Sequence, residues 1–268
     1  VLSALQVIGD ITLVATAQQF GGFTLPELDK VLLPYVLKSE AAALEKFRQM
    51  GVADAVAREF AVKETVRELE QGFQSLELKL NTVPCSRGDF AFTTITFGQW
   101  KPENYTAAER EWLSTISRTM LRVRKKGHGR HGKPVVFPKL VYLYDRDQIA
   151  NDKPSAELFD EALRTSAECM YPDYLSLSSE SGSVSQIYQR YGAITSPMGC
   201  RAFLSLWKNE EGQAVTVGRC NIGAVSLNLP IILKITQMQR PDDWREAFWE
   251  ELDRRLDVIR QFFKKRYD

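Results

Sequence analysis

From Pro134 to Tyr144 the chain is apolar almost throughout, with Lys139 as the one charged residue. A strand with one face in water alternates polar and apolar residues. A strand this continuously apolar fits a parallel sheet covered on both faces. Parallel strands need long crossovers, and the flanking segments supply them as helices. Ala53–Leu80 repeats Val56, Phe60, Val66, Leu69, Phe73, Leu76 and Leu80 at helical spacing, with charges on its other face. Thr106 and Glu109 make a capping box at the start of the next helix, and another helix is predicted from Ser155 to Cys169. Between the helices, Phe90–Phe97 and Met170–Leu175 read as strands. The alternation predicts an α/β fold with a parallel sheet.

The remaining segments follow from local signals. A helix over Val1–Gln19 is closed by Gly21 and Gly22. Thr24 is expected to cap a second helix, with Pro26 in its first turn, and Ser39–Met50 to form another, stopped by Gly51. Ser176–Ser185 is loop-like. Phe203–Trp207 and Ala214–Val217 read as strands joined by a turn over Lys208–Gly212. Asn221–Leu229 reads as an apolar strand closed by Pro230, and Pro241–Tyr267 as an amphipathic helix. The chain begins at Val1 without a methionine and ends inside a charged helical pattern, as expected of a fragment of something longer.

With 268 residues, 44% hydrophobic and 26% charged, the chain can bury a core. A net charge of +1 argues against whole-molecule electrostatic binding to nucleic acid or membrane. There is no membrane-length apolar run and no signal-peptide pattern. The cysteines Cys85, Cys169, Cys200 and Cys220 are far apart, with only two histidines in the chain. This fits a reducing, cytoplasmic setting and argues against a disulfide framework or a cysteine-rich zinc site within the chain.

Three segments are candidates for chemistry. Ser196-Pro197-Met198-Gly199-Cys200-Arg201 places a cysteine between glycine and arginine on a stiffened loop. The guanidinium would favour a thiolate or a bound anion; the alternative is a packing cysteine. Asn81–Asp89, with Asn81, Thr82, Ser86, Arg87 and Gly88, is either a ligand loop or an ordinary turn with Gly88 left-handed. From Trp112 to Tyr144 there is no acidic residue, while Arg118, Arg122, Arg124, Lys125, Lys126, Arg130, Lys133 and Lys139 accumulate. That run could meet phosphates or be a solvated face. His128 and His131 beside it have neither cysteine nor carboxylate company, so no metal site is expected there.

Taken together, Ser196–Arg201, Gly218-Arg219-Cys220-Asn221-Ile222-Gly223 and Val225–Pro230 resemble the anaerobic (class III) ribonucleoside-triphosphate reductases. Gln18–Gly22, Leu33-Pro34-Tyr35, Asn81-Thr82, Arg87-Gly88-Asp89, Phe137-Pro138-Lys139 and Tyr171-Pro172-Asp173 occur in the matching order, so the resemblance covers the whole chain. It implies part of a ten-stranded α/β barrel of two parallel five-stranded halves, incomplete at both ends, with a finger loop at about 195–206. It implies that Cys200 becomes a thiyl radical that abstracts the 3′ hydrogen of a ribonucleotide. Asn221 helps position and polarise the sugar. Asn81, Thr82, Ser86, Arg87, Ser196, Met198, Gly199 and Arg201 lie near the substrate.

The resemblance also implies a ribonucleoside triphosphate substrate, nucleoside triphosphate effectors, a radical-SAM activating enzyme, a homodimer, and formate as reductant. Ala202 agrees with formate, because the aerobic relatives carry a glutamate at that position. The glycyl radical residue, the C-terminal four-cysteine zinc site and the N-terminal ATP-cone have no counterpart in these residues, and Ile231 stands where an arginine is common. Two other readings are a non-catalytic nucleotide-binding or assembly fragment, and a glycyl-radical enzyme acting on a non-nucleotide substrate.

Overall fold

The computed structural model describes residues 1–86, 88–199, 203 and 205–267. Residues 1–219 and 220–268 form two compact units. In the first, the order is α1 (Leu2–Gln18), β1 (Phe23–Leu25), α2 (Leu28–Gln49), α3 (Asp54–Thr82), β2 (Thr93–Phe97), α4 (Ala107–Lys126) and β3 (Lys139–Tyr144). It continues with α5 (Arg146–Asn151), α6 (Lys153–Cys169), β4 (Asp173–Ser176), α7 (Ser183–Tyr191), and the short strands β5 (Trp207–Lys208) and β6 (Ala214–Val215). β1 to β4 form one parallel sheet in chain order, and β5 and β6 a separate antiparallel hairpin. The fold is α/β, as the alternating pattern predicts.

Alternation along the strands gives the sheet two different faces. Ile95, Phe97, Leu140 and Tyr142 point into the main core, packed with Leu32 and Val36 of α2, Phe73 and Leu76 of α3, Leu113 of α4 and Leu158 of α6. The register Thr24↔Thr94, Thr94↔Lys139, Thr96↔Val141 and Leu143↔Leu175 sets these residues on the other face. There Leu143 and Leu175 pack against Leu177, Val184, Tyr188 and Ile194.

Several expectations are corrected. Thr24 lies in β1 and does not cap a helix. Its strand pairs with Phe23↔Thr93 through Leu25↔Ile95, and Pro26 holds the preceding residue extended. The two helices expected before Gly51 are one, α2, with Pro34 inside it. Proline in a helix costs about 3 kcal/mol. Burying Leu28, Leu32, Leu33 and Val36 returns about 1.5–3 kcal/mol each, which decides the outcome. Val135 and Val136 stay outside β3, because Pro138 has no N–H for the ladder. Finally, Ser183–Tyr191 is a helix ended by Gly192 at φ 62°, with Val184 and Tyr188 one turn apart on its packed side.

In the second unit, α8 (Leu229–Gln239) and α9 (Trp244–Tyr267) form a helical pair. Asn228 caps α8 by accepting from Ile231 N at 3.1 Å, so Pro230 opens a helix where a strand end was expected. Residues 221–228 carry no strand. An apolar run becomes a strand only where another edge takes its backbone groups, and none of the described strands pairs with it.

One buried acid ties α2 to the sheet. Asp29 accepts from Gly98 N at 2.8 Å, Lys30 N at 3.0 Å and Ser117 Oγ at 3.3 Å. Burial nevertheless raises its pKa to about 6. The folded state therefore holds this proton more tightly than the unfolded chain does. The stabilising contribution is complete below about pH 3.8 and is lost as pH rises through about 6. The expected size is on the order of 2–3 kcal/mol. Urea unfolding between pH 4 and 7 checks it: Asp29→Asn should flatten the pH dependence, and an unchanged slope refutes the assignment.

Candidate active site

The loop that leads to Cys200 begins on the second face of the sheet. Ile194 closes the small core there, and Thr195 and Met198 are buried as well. Three threonines of the sheet then engage the next residues. Thr24 Oγ1 donates to Pro197 O at 2.6 Å, Thr94 Oγ1 donates to Gly199 O at 3.2 Å, and Thr96 Oγ1 lies 3.2 Å from Ser196 Oγ. Thr94 and Thr96 are fully buried, so these bonds satisfy hydroxyls that would otherwise be costly to desolvate.

The approach is close enough to exclude side chains. A Cβ on Gly22 would lie 2.7 Å from both Cα and N of Gly199. Gly199 itself has φ 69°, and a Cβ there would lie 3.0 Å from Phe92 Cε1. Ser196, Met198 and Gly199 are thus brought together on the sheet. Cys200 and Arg201, predicted site residues, lie outside the described residues, as do Arg87 and Ala202.

The Asn81–Asp89 segment is placed differently. The Asn81 amide grips the backbone of Phe137: Nδ2 donates to Phe137 O at 2.6 Å, and Oδ1 accepts from Phe137 N at 3.2 Å. Phe137 in turn packs edge-on against Phe92, with ring centroids 4.9 Å apart, and Phe92 lies under Gly199. Asn81 therefore reaches the loop through two aromatic rings. Thr82 Oγ1 donates back to Leu78 O. Ser86 is exposed in a turn that Gly88 N closes on Cys85 O at 2.8 Å, with Gly88 left-handed. Asn221 belongs to the second unit and is half-buried there.

A buried charged cluster supports the start of β3. Arg124 Nε meets Glu77 Oε1 at 2.7 Å, Arg124 Nη2 donates to Pro138 O at 2.5 Å, and its guanidinium lies 5.0 Å from the Tyr171 ring centre. His128 Nε2 is 3.3 Å from the other Glu77 oxygen. Desolvation pushes the Glu77 carboxyl above its usual range even so. Among the described residues no group of three or more His, Cys, Asp or Glu side chains could hold a metal ion. None of the described helices is long and apolar enough to cross a membrane.

A family model described as anaerobic ribonucleoside-triphosphate reductase matches residues 1–268. The chain belongs to this family. Reductases of that name are similar to it throughout. The one from Enterobacteria phage T4 is 34% identical over 231 residues, covering 85% of this chain and 36% of the phage protein. Those from Escherichia coli K12 and Salmonella typhimurium are 33% and 34% identical over 97% of this chain. The chain spans 33% of each of these two, about a third of the length of a family reductase.

In this member of the anaerobic reductase family, then, the loop at Ser196–Gly199 is tied to the sheet by three threonine side chains. Sequence reasoning named the loop but missed its supports, Thr24, Thr94 and Thr96. The available signal was a run of threonines inside a segment otherwise apolar enough to be buried, which leaves their hydroxyls needing partners.

Proposed function

We infer that this chain is the central part of an anaerobic ribonucleotide reductase, contributing part of a ten-stranded α/β barrel and the finger loop at about 195–206. In this reading the Cys200 sulfur, as a radical, takes the 3′ hydrogen of a ribonucleoside triphosphate, and the 2′ hydroxyl leaves as water. Asn221 steadies the sugar, since its amide both donates and accepts. Ser196, Met198, Gly199 and Arg201 line the reacting end, and Thr82, Ser86 and Arg87 lie toward the base. Formate supplies the reducing equivalents, in keeping with Ala202. The glycyl radical, its radical-SAM activating enzyme, the zinc site, the nucleoside triphosphate effectors and a homodimeric partner belong to the complete enzyme.

The observation that carries this reading is the seating of Ser196–Gly199 on half-buried Thr24 of β1 and buried Thr94 and Thr96 of β2. A sulfur radical needs a rigid support shielded from water and stray reductants. A loop whose backbone is bonded to an interior sheet face meets that need. The test is anaerobic turnover of the full-length protein with activating enzyme, formate and a ribonucleotide deuterated at C3′. Deoxyribonucleotide should form, more slowly than from the undeuterated substrate, and Asn221→Ala should lower turnover further. Nucleotide binding without any product would favour a non-catalytic assembly role.

A further inference from the structure

A threonine hydroxyl can usually find a backbone carbonyl close by in its own segment. Thr12, Thr65 and Thr165 each donate to the carbonyl four residues back in their own helices. Thr93, in β2, donates to Ala91 O at 3.2 Å. Thr24 and Thr94 do otherwise. Their hydroxyls go to Pro197 O and Gly199 O, 173 and 105 residues away in the chain.

Register brings the two together. Thr24 and Thr94 are partners across β1 and β2, so their side chains stand side by side on one face of the sheet. Ser196 lies at Thr96, and Gly199 at Thr94 and against Gly22, so the loop runs against the strand direction between β1 and β2. One hydroxyl reaches it from each flanking strand. A single hydrogen bond leaves a loop free to swing about it. Two, from neighbouring strands to carbonyls two residues apart, fix its heading as well as its place. Gly199 is the residue before Cys200, and a peptide unit is planar. Holding the Gly199 carbonyl therefore sets the plane of the peptide group through which the chain continues to Cys200.

We propose that Thr24 and Thr94 are positioning residues for the reductase reaction, acting together through these two carbonyls to aim the loop at the sugar. The role rests on the radical reading of Cys200, and in it neither threonine touches substrate. A reacting group about 1 Å out of place can cost about a hundredfold in rate while substrate still binds, so the loss should fall on kcat and spare KM. The test uses full-length protein carrying Thr24→Val, Thr94→Val or Thr93→Val. Valine keeps the β-branched shape and removes the hydroxyl. Thr93→Val is the control, because Thr93 is as buried as Thr94 in the same strand but bonds within its own segment.

Thr24→Val and Thr94→Val should each lower kcat about tenfold or more with KM within about twofold, and serine at either position should restore most of the loss. No loss, a loss no larger than that of Thr93→Val, or no rescue by serine overturns the proposal. Hydrogen exchange at Met198 and Gly199 is read alongside, without turnover. It should quicken in both loop-facing variants and keep the wild-type rate in Thr93→Val. If wild-type protein forms no deoxyribonucleotide, the radical reading fails on its own. Faster exchange then still shows the threonines holding the loop, and unchanged exchange removes that role as well.

Discussion

Full-length protein carrying Cys200→Ser should form no deoxyribonucleotide above background while binding ribonucleotide nearly as well as wild type. The two side chains differ by one atom, so shape and much of the hydrogen bonding survive. What changes is the hydrogen-atom chemistry: an O–H bond is much stronger than S–H, so the hydroxyl does not yield a usable radical. An effect confined to turnover is the mark of an interaction made only in the reaction itself. Anaerobic product assays paired with equilibrium nucleotide binding measure both halves. Wild-type-like turnover would remove Cys200 from the chemistry, and loss of binding in parallel would make its role structural.

The largest expected effect on stability comes from Glu77. Replacing it with alanine leaves Arg124 buried without its carboxylate, and breaking a buried pair from one side costs about 3–5 kcal/mol. The damage should extend beyond the pair, because Arg124 also holds Pro138 O at the threshold of β3 and stacks on Tyr171 before β4. Removing both charges as Glu77→Leu/Arg124→Met should recover a substantial part of the loss, since no unpaired charge then remains. Denaturant unfolding of the single and double variants decides this. A single variant within about 1 kcal/mol of wild type would show that the cluster does not bear on stability.

The sequence made the helices α3 and α4 legible because their signals are local: a long apolar stripe in α3 and the Thr106–Glu109 box in α4. β2 was readable from its β-branched and aromatic residues, and β3 because burial on both faces shows as near-continuous apolar character. Thr24 failed for the opposite reason. Its surroundings mimic a helix start, and what makes it a strand is pairing with Thr93–Ile95, seventy residues away. Asn221–Leu229 failed because β-prone composition says nothing about whether an edge is available. At the site, the motif around Cys200 stood out from residue types alone. The hydroxyls beneath it did not, because which buried threonines meet which carbonyls is a property of the assembled sheet. The basic run showed the same limit: its charges were visible, but which of them meet a carboxylate, as Arg124 meets Glu77, was not.

The contact between Gly22 and Gly199 has a consequence for anyone redesigning this chain. Most steric conflicts can be relieved by turning a side chain, but at Gly22 the obstructing atoms are the backbone Cα and N of Gly199, while Gly199 is held to glycine by its φ of 69° beside the Phe92 ring. The two positions are constrained for different reasons, and saturation libraries at either one should return mostly glycine. A graft of the loop onto another scaffold would have to carry Gly22 and its strand with it.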